Sequence, residues 1–214
     1  MMTVYKHKSI MKCSIIIPYD KDRGFLSEAI KSCEDQDFDD YEIIVQQGFK
    51  STSENINDAI EISTGEYIKL CGEDDILLPN CLTDLYNAIA GFDVAAAHCI
   101  NFSDGYKKEV EITREIKIPK DVNALAKRNT LHGLGMLYRR QALIDVGMFD
   151  EELDAFEEVE LHLSLLYHGY SFVLCDSVVG RYRLHPHQKS HAYNNNPREK
   201  ERKKKRDKIV KRWT

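Results

Sequence analysis

Three consecutive carboxylates, Glu73, Asp74 and Asp75, stand where an apolar run ends. Adjacent like charges repel unless water, a helix N-terminus or a cation compensates them, and hard carboxylate oxygens suit Mg²⁺ or Mn²⁺. The plainer reading is an acidic lead-in to a helix expected at Pro79, and spacing alone favours it. A second acidic group, Glu157, Glu158 and Glu160, opens a helical pattern. Asp154 and Glu157 are three apart, the spacing of a capping box, which makes Glu157 structural. Glu158 shares a face with His162 and Leu165 and is left for other work. A helix N-terminus keeps a carboxylate ionised, as a general base must be, although a solvated glutamate is the plain alternative. Arg181, Arg183 and His185 lie on one short stretch whose cations could face phosphate oxygens. Singly, His132 and His185 read more readily as packed or exposed histidines than as ligands.

The elements that must position these groups alternate. Strand patterns are expected at residues 13–17, 41–45, 66–71 and 94–100, and helical spacing at 25–33, 56–62 and from Pro79 onward. Strands separated by helices of this length call for a mostly parallel sheet with helices on its faces. Ligands then gather beyond the carboxyl ends of the strands, where Pro18-Tyr19-Asp20, Gln46-Gln47 and Glu73-Asp74-Asp75 fall. Further along, residues 107–118 suggest an edge hairpin, 122–127 a short helix, 135–138 a strand, 141–146 a helix and 156–168 a clear helix stopped by Gly169. Residues 171–175 and 178–184 read as two strands. This gives one α/β domain of two fused halves, 12–120 and 121–192, followed by a basic tail or linker at 193–214.

Bulk properties narrow the function. The 214 residues are 43% hydrophobic and 30% charged, as in a globular protein, and no run approaches a membrane span. The N-terminal residues carry lysines but no apolar block, so a cytoplasmic location is expected. Six cysteines without a CxxC pair read as buried reduced thiols. Residues 198–214 hold ten basic and three acidic residues, a net of plus 7; with minus 5 overall, the preceding residues carry minus 12. The body therefore offers no nucleic-acid surface. The tail is expected to be an exposed helix or an interdomain linker, with at most weak contact to an anionic membrane, because Ile209, Val210 and Trp213 give little surface for insertion. GxGxxG after the first strand, GxxxxGK[ST], HExxH and GxSxG are all absent, which removes dehydrogenase, P-loop and serine-hydrolase readings.

In order, Ser14-Ile15-Ile16-Ile17-Pro18, Tyr41 to Val45, Asn57 through Ser63-Thr64-Gly65-Glu66-Tyr67-Ile68, Asp74-Asp75-Ile76-Leu77-Leu78-Pro79, Val146 to Glu151 and Tyr182-Arg183-Leu184-His185-Pro186 resemble the family 2 glycosyltransferases of the GT-A fold. The resemblance covers residues 12 to about 190. It implies a Rossmann-like, nucleotide-diphosphosugar-transferase sheet with a smaller acceptor-side half. It also implies transfer of a hexose or deoxyhexose from a UDP-sugar to a glycan hydroxyl, with inversion, assisted by Mn²⁺ or Mg²⁺. Pro18, Tyr19, Asp20, Gln46, Gln47, Asn57, Glu73, Asp74 and Arg183 are then expected on the donor side. Asp74, Asp75 and His185 are expected at the metal, and Glu158 with Glu157 at the acceptor as the base pair.

The chain departs from the family pattern in three places. The usual acids ending the second strand are Gln46-Gln47, the first acid of the DxD motif is Gly72, and the base pair is Glu-Glu rather than Glu-Asp. A sugar-nucleotide pyrophosphorylase shares such a sheet but needs a glycine-rich loop where this chain has Tyr19 to Gly24. A non-catalytic sugar-nucleotide-binding module would keep the fold and lose the base. The abrupt basic ending suits a domain cut from a longer chain.

Overall fold

A computed structural model of the chain describes residues 2–6, 12–48, 51–103, 110–112, 115–153, 155–188 and 199–214. The strands are β1 (Met2–Lys6), β2 (Cys13–Tyr19), β3 (Tyr41–Gln47), β4 (Tyr67–Leu70), β5 (Ile76–Leu77), β6 (Val94–Phe102), β7 (Val110–Ile112), β8 (Met136–Arg139) and β9 (Phe172–Arg183). The helices are α1 (Leu26–Glu34), α2 (Thr52–Ile62), α3 (Cys81–Ala88), α4 (Val122–Lys127), α5 (Arg140–Asp145), α6 (Glu157–Tyr167) and α7 (Glu199–Trp213), with a 3₁₀ turn at Gly133–Gly135. The described strands form one nine-stranded sheet, ordered β1-β3-β2-β4-β8-β6-β9-β5, with β7 paired to β6. The sheet is mixed: β2, β3, β4, β6 and β9 run one way, the others against them.

Both faces are covered, which is why the central strands are nearly continuous apolar runs. Ile16, Ile44, Ile68, Val94 and Tyr138 pack against α2, α4, α5, α6 and α7. Their alternates Ile15, Ile17, Ile43, Val45 and Ala95 pack against α1 and α3. The six cysteines are all free and buried, as expected.

Two glycine-containing stretches have structural work in the fold. Gly65 lets the chain cross β2, since a Cβ there would meet the backbone of Cys13 and Ser14 at 2.6 Å. Its N–H donates to Ser14 Oγ (2.9 Å), which donates to the buried carboxylate of Glu42 (2.8 Å), and that carboxylate also takes the Thr64 hydroxyl (2.8 Å). Gly147 (φ 86) and Met148 (φ 62) close α5 in left-handed conformations, natural for the glycine and strained for the methionine.

The differences from expectation have physical causes. β1 lies outside the expected domain start at residue 12 yet pairs antiparallel with β3, through backbone bonds that need no apolar pattern. α2 begins earlier, at Thr52, because Ser51 accepts the Glu54 N–H as an N-cap. α3 begins at Cys81 with Asn80 as its cap residue, so Pro79 stands before the helix rather than at its first position. The two late strands are one strand, β9, whose polar Asp176-Ser177 interruption coincides with register shifts against β6 near His98. Of the expected hairpin at 107–118, β7 is seen paired to β6, while 104–109 and 113–114 lie outside the described residues. The tail forms its helix but is not an exposed linker: Ile209 is buried in the core, and Val210 and Trp213 pack beside it.

Candidate active site

Where β4 ends, Cys71 N–H donates to Ile16 O (2.9 Å), extending the chain alongside β2 before it turns through Gly72-Glu73-Asp74-Asp75. The turn closes with Asp75 N–H to Gly72 O at 3.2 Å. The next residues, β5, pair with β9 through Ile76 and Arg181. The acid loop is thus pinned against the end of β9, and the chain leaving β9 carries His185 over it. His185 Nε2 lies 2.8 Å from Asp74 Oδ2.

The three acids have separate fates. Asp74 lines a cavity of about 720 Å³ and meets His185. Asp75 turns inward, where its Oδ1 accepts the Arg183 backbone N–H at 3.0 Å. Burial and the neighbouring Asp74 charge push its pKa well above the usual carboxylate range. Glu73 pairs with Arg23, and burial raises its pKa against the pull of that guanidinium. Arg23 also holds Asp20 through two nitrogens, at 2.8 and 3.1 Å, and lowers its pKa. Arg23 lines the cavity and was not singled out from the sequence; its signal was the i, i+3 spacing from Asp20.

Pro18, Tyr19 and Asp20 line the same cavity at the end of β2. Gln46 and Gln47 end β3 half-buried beside them, outside the lining; Gln47 Nε2 reaches toward Asp20 O at 3.5 Å. Asn57 and Arg183 are not brought to the cavity. Asn57 is buried and clamps α2 to the segment after α5: its amide donates to Phe149 O and Glu151 Oε1, both 2.9 Å, and accepts Phe149 N–H at 3.0 Å. Arg183 is enclosed, with Nε donating to Asp74 O at 2.7 Å. The resemblance put both on the donor side; here Asn57 bonds Phe149 and Glu151, and Arg183 bonds the Asp74 carbonyl and pairs with Glu28.

Glu157 and Glu158 both line the same cavity from the first turn of α6. The cap residue of that helix is Phe156, in a left-handed conformation (φ 65) with no side-chain cap, and Asp154 lies outside the described residues. A left-handed, bulky aromatic is strained, and here it forms part of the cavity wall. Glu158 extends over Gly133, where any Cβ would run into its carboxylate. His132 packs edge-on against Tyr182, centroids 4.6 Å apart, and both line the cavity.

An octahedral ion with ligands about 2.1 Å away sets neighbouring donors about 3 Å apart. Asp74 Oδ2 and His185 Nε2 have that separation, and a mixed oxygen–nitrogen pair suits a transition ion such as Mn²⁺ better than Mg²⁺. Among the described residues no group of three His, Cys, Asp or Glu side chains is arranged around one ion, and Asp75 is committed to Arg183. The residues therefore fit an ion that takes two ligands from the protein and the remainder from water and a ligand's phosphates.

No model of a known protein family matches the chain, and no curated protein matches it significantly. Solved structures do. S. aureus TarS 1-349 in complex with UDP-GlcNAc superimposes with TM-score 0.68 at 18% identity, over 86% of this chain and 62% of that one. The mannosyltransferase PcManGT from Pyrobaculum calidifontis, in complex with GDP-Man and Mn²⁺, gives TM-score 0.58 at 14% identity, over 80% and 56%. The chain thus spans less than two thirds of the length of either, and 43% of full S. aureus TarS. At such identity the likeness speaks for architecture, and with the sheet order above it places this chain in the GT-A fold.

Proposed function

We propose that this chain is the catalytic domain of a metal-dependent, inverting glycosyltransferase. It moves a hexose or deoxyhexose from a UDP-sugar to a hydroxyl of a glycan. The observation that carries this reading is one cavity lined by Asp74, which His185 meets from outside the lining, and by Glu157 and Glu158. The nucleotide sugars bound in the neighbouring structures, and the Mn²⁺ beside one of them, support it.

Pro18, Tyr19 and Asp20 would hold the nucleoside, Asp74 and His185 the metal. When bound, the ion supplies charge neutralisation on the departing diphosphate. Glu158 accepts the proton of the acceptor hydroxyl as that oxygen bonds to the anomeric carbon and the bond to the diphosphate breaks in line. One displacement inverts that carbon. Glu158 suits the role because it rises from the N-terminus of α6, where the helix dipole keeps a carboxylate ionised, and Gly133 leaves room for it.

The test measures sugar transfer and donor affinity with Mn²⁺ for Glu158→Gln and Glu157→Gln. Glu158→Gln is expected to lower turnover by about 10²- to 10⁴-fold with donor affinity little changed. Near-normal transfer would remove Glu158 as the base, and a dead Glu157→Gln beside an active Glu158→Gln would exchange their roles.

A further inference from the structure

We infer that Arg183 is a positioning residue that fixes Asp74 and His185 in the geometry a divalent ion requires; this rests on the metal reading above. Its side chain is 2% exposed, with the guanidinium carbon 4.5 Å from the centroid of the Phe25 ring and 4.4 Å from that of Phe102. Nε donates to the Asp74 carbonyl at 2.7 Å, and a terminal nitrogen pairs with Glu28 of α1. The backbone N–H of the same residue donates to Asp75 Oδ1 at 3.0 Å. One residue thus grips the acid loop at two successive positions and ties it to α1.

The grip extends to the histidine. Leu184 N–H still pairs with Phe102 O (2.8 Å), so the chain stays extended and residues 183 and 185 fall on the same side. His185 packs against the Phe25 ring that Arg183 also covers, at 5.0 Å, and meets Asp74 at 2.8 Å. Only arginine combines two flat faces for stacking with separately directed donors, whereas lysine offers a single ammonium on a flexible stem. A buried cation is weak evidence for stability. What this one determines is where the Asp74 main chain lies, and hence where its carboxylate points.

The experiment uses the full chain with Arg183→Lys and reads Mn²⁺ affinity by electron paramagnetic resonance, the metal-free melting temperature, and the metal-free ¹⁵N signals of the His185 imidazole at fixed pH. Mn²⁺ affinity is expected to fall by about tenfold or more, as for other groups that orient metal ligands. The His185 signals should move, and the metal-free melting temperature should stay within about 3 °C. Wild-type Mn²⁺ affinity with unmoved His185 signals overturns the inference. If the lysine variant fails to fold or melts well below that range, Phe102→Leu removes one stacking face instead. Weakened Mn²⁺ binding then supports positioning, and unchanged binding overturns it. If the wild-type chain binds no Mn²⁺, the metal reading fails by itself and the His185 signals decide: a shift supports positioning, no shift overturns it.

Discussion

Behind Glu158, one turn along α6, His162 is fully buried. Its Nε2 lies 2.8 Å from the Tyr138 hydroxyl, with Phe172 edge-on at 6.2 Å. Burial lowers the His162 pKa from 6.5 to about 3, so the folded protein keeps this imidazole neutral. The Tyr138 pKa is pushed up, first by burial and then by the Glu158 charge, so a neutral pair stands next to the candidate base. An unfolded chain would protonate His162 near 6.5, and the folded chain only near 3. Between these values the unfolded state binds more protons. His162 therefore costs nothing above pH 6.5, and stability is lost as pH falls toward 3, by about 1.4 kcal/mol per unit. The raised carboxyls of Asp75 and Glu160 act in the opposite sense, so a comparison with His162→Gln isolates the histidine. Between pH 7 and pH 5, urea unfolding should show the wild type losing about 2 kcal/mol more than His162→Gln. Parallel pH profiles would mean that the imidazole is not held neutral.

At the scale of elements, what was legible was whatever burial imprints on a strand or helix. β2, β3 and β4 are buried on both faces and read as continuous apolar runs, and α6 shows its apolar stripe and its terminating Gly169. β1 was illegible because an edge strand is held by backbone pairing, and the unity of β9 was hidden by a polar interruption the sheet absorbs as a register shift. In the site, residue types were legible but their directions were not. Asp74 and Asp75 are adjacent and alike in sequence and both line the cavity, yet Asp74 meets His185 while Asp75 accepts the Arg183 backbone N–H. Asn57 shows the same limit: the resemblance puts it on the donor side, and its type does not reveal that its amide bonds Phe149 and Glu151. Asn57→Ala removes three hydrogen bonds joining α2 to Phe149 and Glu151 and leaves buried groups without partners. The expected cost is about 2–4 kcal/mol in chemical unfolding, since each unsatisfied buried group costs about 1–3 kcal/mol. Affinity for a nucleotide sugar should be unchanged below the melting transition. A stable variant with weakened donor binding would return Asn57 to the donor site.

For the molecule as a whole, the segregation of charge conceals how the C-terminal segment is held. Composition presents it as a solvated basic run, but its apolar residues fall on one side of α7 and meet α6. Ile209 is 3% exposed and belongs to the same core cluster as Val159 and Leu163. The Trp213 indole packs against Tyr167 and His168, with centroids 5.3 and 5.9 Å away, and its Nε1–H donates to Glu160 Oε1 at 3.1 Å. Arg212 pairs with Asp150 at 2.7 Å and with Glu160 at 3.3 Å, and Arg206 donates to the Ala126 carbonyl at the end of α4. Lys204, Lys208 and Lys211, about half a helical turn away from Ile209 and Trp213, are left exposed. Because Glu160 stands in the same first turn as Glu157 and Glu158, α7 braces the helix end that presents the candidate base. Trp213→Ala should therefore cost about 2 kcal/mol, in the range for burying a large apolar side chain. In a chain of this size that is a fall in melting temperature of about 4–8 °C. A tail that were merely a solvated linker would lose nothing, so an unchanged melting curve for Trp213→Ala, together with unchanged protease resistance at residues 199–214, would detach α7 from the domain.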